Sequence, residues 1–175
     1  DQIAAMGIRN LSVQGEPDFS MLQPEDIVIL PAFGAEVNTV NRIKERGCRI
    51  VDTTCGDVMS VWKRVRQNAG EQVTSIIHGK ASHEETRATA SRALGPQGTG
   101  HYLVVLNLEQ TRQVCDYILH GGDKALFLEN FRGAVSSGFD PDQHLQRVGV
   151  ANQTTMLRSE TEEVQGLVRA AILLS

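Results

Sequence analysis

Three short stretches carry the residue types that chemistry requires. In Thr53-Thr54-Cys55 a thiol follows two hydroxyls, just after the apolar pair Ile50-Val51 and just before a helical pattern of Val58, Val61, Trp62 and Val65 at spacings of three and four. A thiol at a strand-to-helix junction meets free N–H groups and the positive end of the helix dipole, which favour an anion. Cys55 is therefore a candidate metal ligand or nucleophile, the plain alternative being a small cysteine buried at the junction. In Ser82-His83-Glu84-Glu85 a histidine able to bind an anionic group stands two residues before a carboxylate able to deliver a proton. Ser82 and Glu85 also fit the S-x-x-E capping box, a structural role compatible with the catalytic one, and Ser159 and Glu162 repeat the pattern with no chemistry attached. In Gln153-Thr154-Thr155 an amide and two hydroxyls either hydrogen-bond a substrate oxygen or turn the chain and cap the next helix. His78 and Lys80 flank Gly79, where they either meet a phosphate or, as single basic loop residues more often do, stay solvated, so they stand outside the catalytic set; Cys48 and Cys115 read as packing residues. His101, His120 and His144 fall in turns with no partner at a useful spacing.

The elements that position these stretches alternate. Ile27 to Leu30 is a continuous apolar run closed by Pro31 and Gly34, the pattern of a strand covered on both faces. A helix is predicted over Val37–Arg46, stopped by Gly47, then a strand over Arg49–Asp52 and a helix from about Asp57 to Asn68. Strands over Val73–His78, Tyr102–Leu106 and Val148–Ala151 are each followed by a helix, over Ser82–Ala93, Leu108–Leu119 and Glu160–Leu174. Lys124 to Phe131 is a short helical piece, and 132–143 is rich in turns. The fold class is α/β: repeated βα units forming small parallel sheets covered by helices. Ligands of such sheets sit beyond the carboxyl ends of the strands, where all three polar stretches fall.

Composition narrows the classes. The chain has 175 residues, 41% hydrophobic and 22% charged, enough for an adequate core. A net charge of −4 with no basic stripe argues against nucleic acid, and no apolar run approaches a membrane span. Three widely spaced cysteines argue for a reducing compartment rather than a disulfide framework. GxGxxG, GxxxxGK[ST] and CxxC motifs are missing. The chain starts without Met, AAMGIRN reads like the tail of a helix, and the apolar last helix stops with the chain, so a fragment is expected.

Five motifs in order, PAFGAEV (31–37), IVDTTC (50–55), SIIHGKASHEET (75–86), CDYIL (115–119) and ANQTTML (151–157), make the sequence similar to the plant and cyanobacterial branch of the LytB family, the 4-hydroxy-3-methylbut-2-enyl diphosphate reductases. The resemblance implies a three-lobed α/β protein around a 4Fe-4S cluster held by three cysteines. It implies reductive dehydroxylation of the allylic diphosphate to isopentenyl and dimethylallyl diphosphate, with a ferredoxin- or flavodoxin-like electron donor, in a bacterial cytoplasm or a plastid stroma. By resemblance Cys55 is the middle cluster cysteine, His83 meets the diphosphate, Glu85 supplies a proton, and Thr154 lies beside the substrate hydroxyl with Gln153 and Thr155 as substrate-binding neighbours. Residues 1–55 then form the rear of the first lobe and 56–175 the second, the third lobe and the N-terminal segment being absent.

The departures are specific. Phe33 stands where many bacterial members carry a histidine, and Gly56-Asp57 replaces the usual Pro and aromatic after the cysteine. Neither Cys48 nor Cys115 stands in a cluster motif, so a single thiol is left for the cluster. The alternative to a reductase is a non-catalytic α/β module that binds a diphosphate or a partner through His83 and Gln153–Thr155.

Overall fold

The computed structural model describes residues 2–11 and 17–175, apart from the side chain of Ile3. Two parallel sheets form. Strands β1 (Ile27–Leu30) and β2 (Arg49–Asp52) pair as one, and β3 (Thr74–His78), β4 (Tyr102–Val105) and β5 (Val148–Asn152) form the other in the order β4-β3-β5. Eight helices are described: α1 (Gln2–Ala5), α2 (Val37–Glu45), α3 (Gly56–Gly70), α4 (Glu84–Ala93), α5 (Leu108–His120), α6 (Lys124–Asn130), α7 (Pro141–His144) and α8 (Arg158–Leu174). The predicted alternation of strand and helix is present, with α7 overlapping the end of the stretch read as turns.

The central strand β3 is buried at all five positions. Its side chains alternate between two cores, as a strand with helices on both faces requires. Ile76 packs with Val105 of β4, Val114 of α5, Phe127 and Phe131 of the α6 segment and Val164 of α8. Ile77 points the other way, to Val65 of α3, Ala90 of α4, Val104 and Ala151. Each such fully buried side chain contributes about 1.5–3 kcal/mol, which makes this sheet the rigid base for the loops at its carboxyl end.

The first sheet differs from its prediction. β1 buries Val28 and Leu30 against Phe19, Leu22, Ile43 and Cys48, but Ile27 and Ile29 are more than half exposed. The run IVIL is apolar throughout, yet in a two-stranded sheet only one face meets a helix among the described residues.

The β1–α2 turn reaches the second sheet's helices. Gly34 has φ +78°, and a Cβ there would lie 2.3 Å from the Trp62 ring of α3, so only glycine fits. Trp62 in turn donates from its indole N–H to Thr89 of α4 at 3.2 Å.

Candidate functional site

The loops after β3 and β5 meet at Gly79. An added Cβ would stand 2.8 Å from Thr86 Oγ1 and 2.9 Å from Gln153 Cβ, so the absence of a side chain lets the loops close. Gln153 then bridges them. It is buried, its Oε1 accepts from the Lys80 N–H (3.1 Å) and Thr86 Oγ1 (3.0 Å), and its Nε2 donates to Thr155 Oγ1 at 2.5 Å. Both ends of the amide are engaged within the protein, and Thr155 is exposed beside it.

One residue further on, Thr154 donates to the Glu85 carboxylate twice, from its N–H to Oε1 at 2.5 Å and from its hydroxyl to Oε2 at 3.0 Å. Glu85 lies in the first turn of α4 and is only 3% exposed. Hydrogen bonds to an ionised acceptor are worth about 1.5–3 kcal/mol each, which offsets the burial of this carboxylate.

The capping box is not what forms. His83, rather than Ser82, is the N-cap of α4, and its Nδ1 accepts from the Glu85 N–H at 3.2 Å. The Glu85 carboxylate is drawn instead to two donors on Thr154, a stronger combination than one exposed cap. At α8 the N-cap is Leu157, without a side-chain bond, and Glu162 pairs with Arg158 (2.7 Å) rather than reaching back to the cap. With Nδ1 of His83 accepting, the proton of the neutral ring sits on Nε2, which becomes a donor free of the helix. The edge of Phe33 packs near this ring, centroids 6.5 Å apart, so the β1–α2 turn borders the site.

Cys55 is the N-cap of α3, at the predicted junction. It is exposed, unlike the buried-junction alternative, and its thiol caps nothing. The two threonines before it are structural. Thr53 Oγ1 donates to the Leu30 carbonyl (2.5 Å), and Thr54 donates from hydroxyl and N–H to Asp52 Oδ1 (2.5 and 2.9 Å). Those bonds, the Thr54 hydroxyl first, hold the Asp52 carboxyl below its ordinary range. Glu85, Thr154, His83, Gln153 and Thr155 are thus brought together, while Cys55 connects to them through the packing of Val58 and Trp62 of α3 on Ala88 of α4. Cys48 and Cys115 are buried, as predicted. Among the described residues no group of three or more His, Cys, Asp or Glu is placed to hold a metal ion. A groove of about 620 Å³ between α3, β5 and α8 is lined by none of the candidate residues.

Several polar residues escaped the sequence reading. Arg92 is buried, stacks on the Trp62 ring at 3.3 Å and donates to the carbonyls of Ala35 (2.7 Å) and Ala88 (2.8 Å). Burial pushes its guanidinium down to about 10. The small residues on its helix face, Ala88 and Thr89, make room for it, a signal that spacing alone does not reveal. His78 is wholly buried rather than solvated, its Nδ1 2.8 Å from Thr161 Oγ1. His101 and His144 are not isolated either: their rings stack at 3.6 Å, although 43 positions separate them.

The family model described as LytB protein matches residues 1–173. The chain belongs to the LytB family. Relatives in this family include the 4-hydroxy-3-methylbut-2-enyl diphosphate reductase of Thermosynechococcus vestitus, 55% identical over 92% of this chain and 39% of its own length. Those of Synechocystis sp. (54%, 92% and 41%) and Microcystis aeruginosa (50%, 98% and 42%) carry the same name. The chain spans about two fifths of the length of these LytB relatives. The fold agrees with two solved structures. One, described as (E)-4-hydroxy-3-methyl-but-2-enyl diphosphate reductase, the terminal enzyme of the non-mevalonate pathway, superposes with a TM-score of 0.66 at 20% identity over 98% of this chain and 48% of that one. The other, the reductase from Plasmodium falciparum, gives 0.61 at 18% identity over 87% and 38%. The resemblance drawn from the five motifs is borne out, and so is the α/β fold class.

Proposed function

We propose that this chain is part of a 4-hydroxy-3-methylbut-2-enyl diphosphate reductase, residues 1–55 forming the rear of its first lobe and 56–175 its second. The overall reaction replaces the substrate's allylic hydroxyl by hydrogen: two electrons and two protons enter, the C–O bond breaks, and water leaves with isopentenyl or dimethylallyl diphosphate. The observation that carries the reading is the buried Glu85 carboxylate seated on the N–H and hydroxyl of Thr154, where two strand-end loops close. In the protonated enzyme Glu85 passes a proton through the Thr154 hydroxyl to the departing oxygen, and Thr154 is left re-protonated. His83 offers its Nε2–H to the diphosphate. Gln153 fixes the loop geometry through its three internal bonds, leaving Thr155 at the solvent side of the substrate.

A 4Fe-4S cluster supplies the electrons in the family. The donor set of this chain does not make a cluster site by itself, since Cys55 is its one exposed thiol and Cys48 and Cys115 lie in cores. Cys55 is proposed as one ligand, completed by others from outside these residues. A ferredoxin- or flavodoxin-like donor in a bacterial cytoplasm or plastid stroma fits this reading. Among the described residues no helix is long and apolar enough to cross a membrane.

Calorimetric titration with the allylic diphosphate and with inorganic diphosphate tests the site. Loss of His83 in His83→Ala is expected to weaken both about 10–100-fold, the worth of one charge-assisted hydrogen bond. Equal affinities in the two proteins reject the assignment. The incomplete donor set favours a second reading, a diphosphate-binding module without redox chemistry. In that case binding still depends on His83, and lengthening the chain by its flanking sequence yields no coloured, reducible cluster that requires Cys55.

A further inference from the structure

We propose that His78 is a positioning residue for the Glu85–Thr154 pair, setting their contact from beneath the sheet edge. This rests on the reading that Glu85 and Thr154 act on the substrate. His78 is the last residue of the central strand, paired with Val105 on one side and Asn152 on the other, and it is wholly buried. Its carbonyl accepts from the Gln153 N–H at 2.8 Å, and its ring Nδ1 stands 2.8 Å from Thr161 Oγ1 in the first turns of α8. These two bonds grip the chain on either side of Thr154, at the start of the loop and at the start of the helix that ends it.

The grip matters because α8 opens without a capping side chain, as α2 and α3 do: its N-cap is Leu157, whereas α4, α5, α6 and α7 open on His83, Asn107, Asp123 and Asp140. Among the described residues, the hydrogen bond between His78 and Thr161 ties the first turns of α8 to the central strand. A helix whose first N–H groups lack a side-chain acceptor frays more readily, and the loop before it moves with it. The ring is also held in one state. Its Nε2 faces the Glu160 carboxylate at 3.8 Å, so the proton belongs on Nε2 and the Nδ1 lone pair accepts the Thr161 hydroxyl. Glu160, from α8, is the charged group facing the ring, and the backbone at Leu106 is its polar neighbour on the β4 side.

Amide hydrogen exchange read residue by residue on the 175-residue chain tests this without any ligand. In His78→Leu, and equally in Thr161→Val, which keeps the shape and removes the hydroxyl, the Thr154 amide is expected to exchange about tenfold faster while the Ile76 amide of β3 is unchanged. His78→Asn, whose Oδ1 takes the place of Nδ1, is expected to restore slow exchange at Thr154. Equal acceleration at Thr154 and Ile76 would mean general destabilisation and would overturn the proposal, as would no acceleration at Thr154. If His78→Leu fails to fold, Thr161→Val alone decides by the same two amides. Failure of the functional reading shows elsewhere, as diphosphate affinity indifferent to His83, with the exchange pattern intact.

Discussion

Replacing Gly79 by alanine probes the closure of the two loops directly. The added methyl would sit 2.8 Å from Thr86 Oγ1, 2.9 Å from Gln153 Cβ and 3.2 Å from Gln153 Oε1, all inside normal contact. It wedges between Thr86 and Gln153, whose 3.0 Å hydrogen bond is worth about 0.5–1.5 kcal/mol. Overpacking adds about 1–3 kcal/mol. Gly79 is not in the left-handed region, so alanine meets no backbone strain and recovers about 0.4–1 kcal/mol from the unfolded state. The net expectation is a loss of about 0.5–4 kcal/mol, measured by urea denaturation at constant m, with Tm falling roughly 2–4 °C for each kcal/mol. Gly166→Ala is the control. Gly166 lies inside α8 with nothing within 4 Å of its added Cβ, and alanine there should stabilise by about 0.5–1 kcal/mol. If Gly79→Ala proves as stable as Gly166→Ala, the loops do not approach as described and the site's geometry is wrong.

Two further outcomes follow from the packing and the titrating groups. Gly34→Ala forces a left-handed alanine against the Trp62 ring, so a loss of about 2–5 kcal/mol is expected, with a shift in the emission of this single tryptophan; unchanged emission and stability would refute the contact. Stability should fall on both sides of neutrality. Burial lowers His78 and His101 below their ordinary 6.5, so the unfolded chain takes up protons first and stability drops as pH falls from about 6.5. Burial raises Tyr102, and raises Tyr117 to about 12, so the unfolded chain releases protons first and stability drops as pH rises from about 10. A Tm–pH curve flat through either range would contradict these shifts.

How far the sequence disclosed this arrangement varies by element. The βα alternation was legible because β-branched runs such as VTSIIH and helical spacings such as that of Val58 to Val65 are local signals. The convergence of the stretches after β3 and β5 followed from parallel strands placing their carboxyl ends together, whereas the stretch ending in Cys55 follows a strand of the other sheet and stands apart from them. What was not legible depends on contacts across the chain. The Glu85 carboxylate abandons its local cap because Thr154, 69 residues away, offers two donors. His78 looked like a loop residue because its Thr161 partner lies 83 positions on, and Arg92 gave no signal because the cleft between Trp62 and Ala35 is built by three separate segments. The role of Cys55 came from resemblance, since a lone thiol at a helix start has no partner spacing to read.

The most direct test of the central claim is turnover of Glu85→Gln in a complete, anaerobically reconstituted reductase carrying this segment. Glutamine keeps an acceptor for the Thr154 N–H but cannot release a proton. The expected result is an unchanged cluster absorption spectrum with turnover slowed about 10²–10⁴-fold, the usual worth of a general acid. Turnover equal to that of the parent enzyme would contradict the proton-donor role.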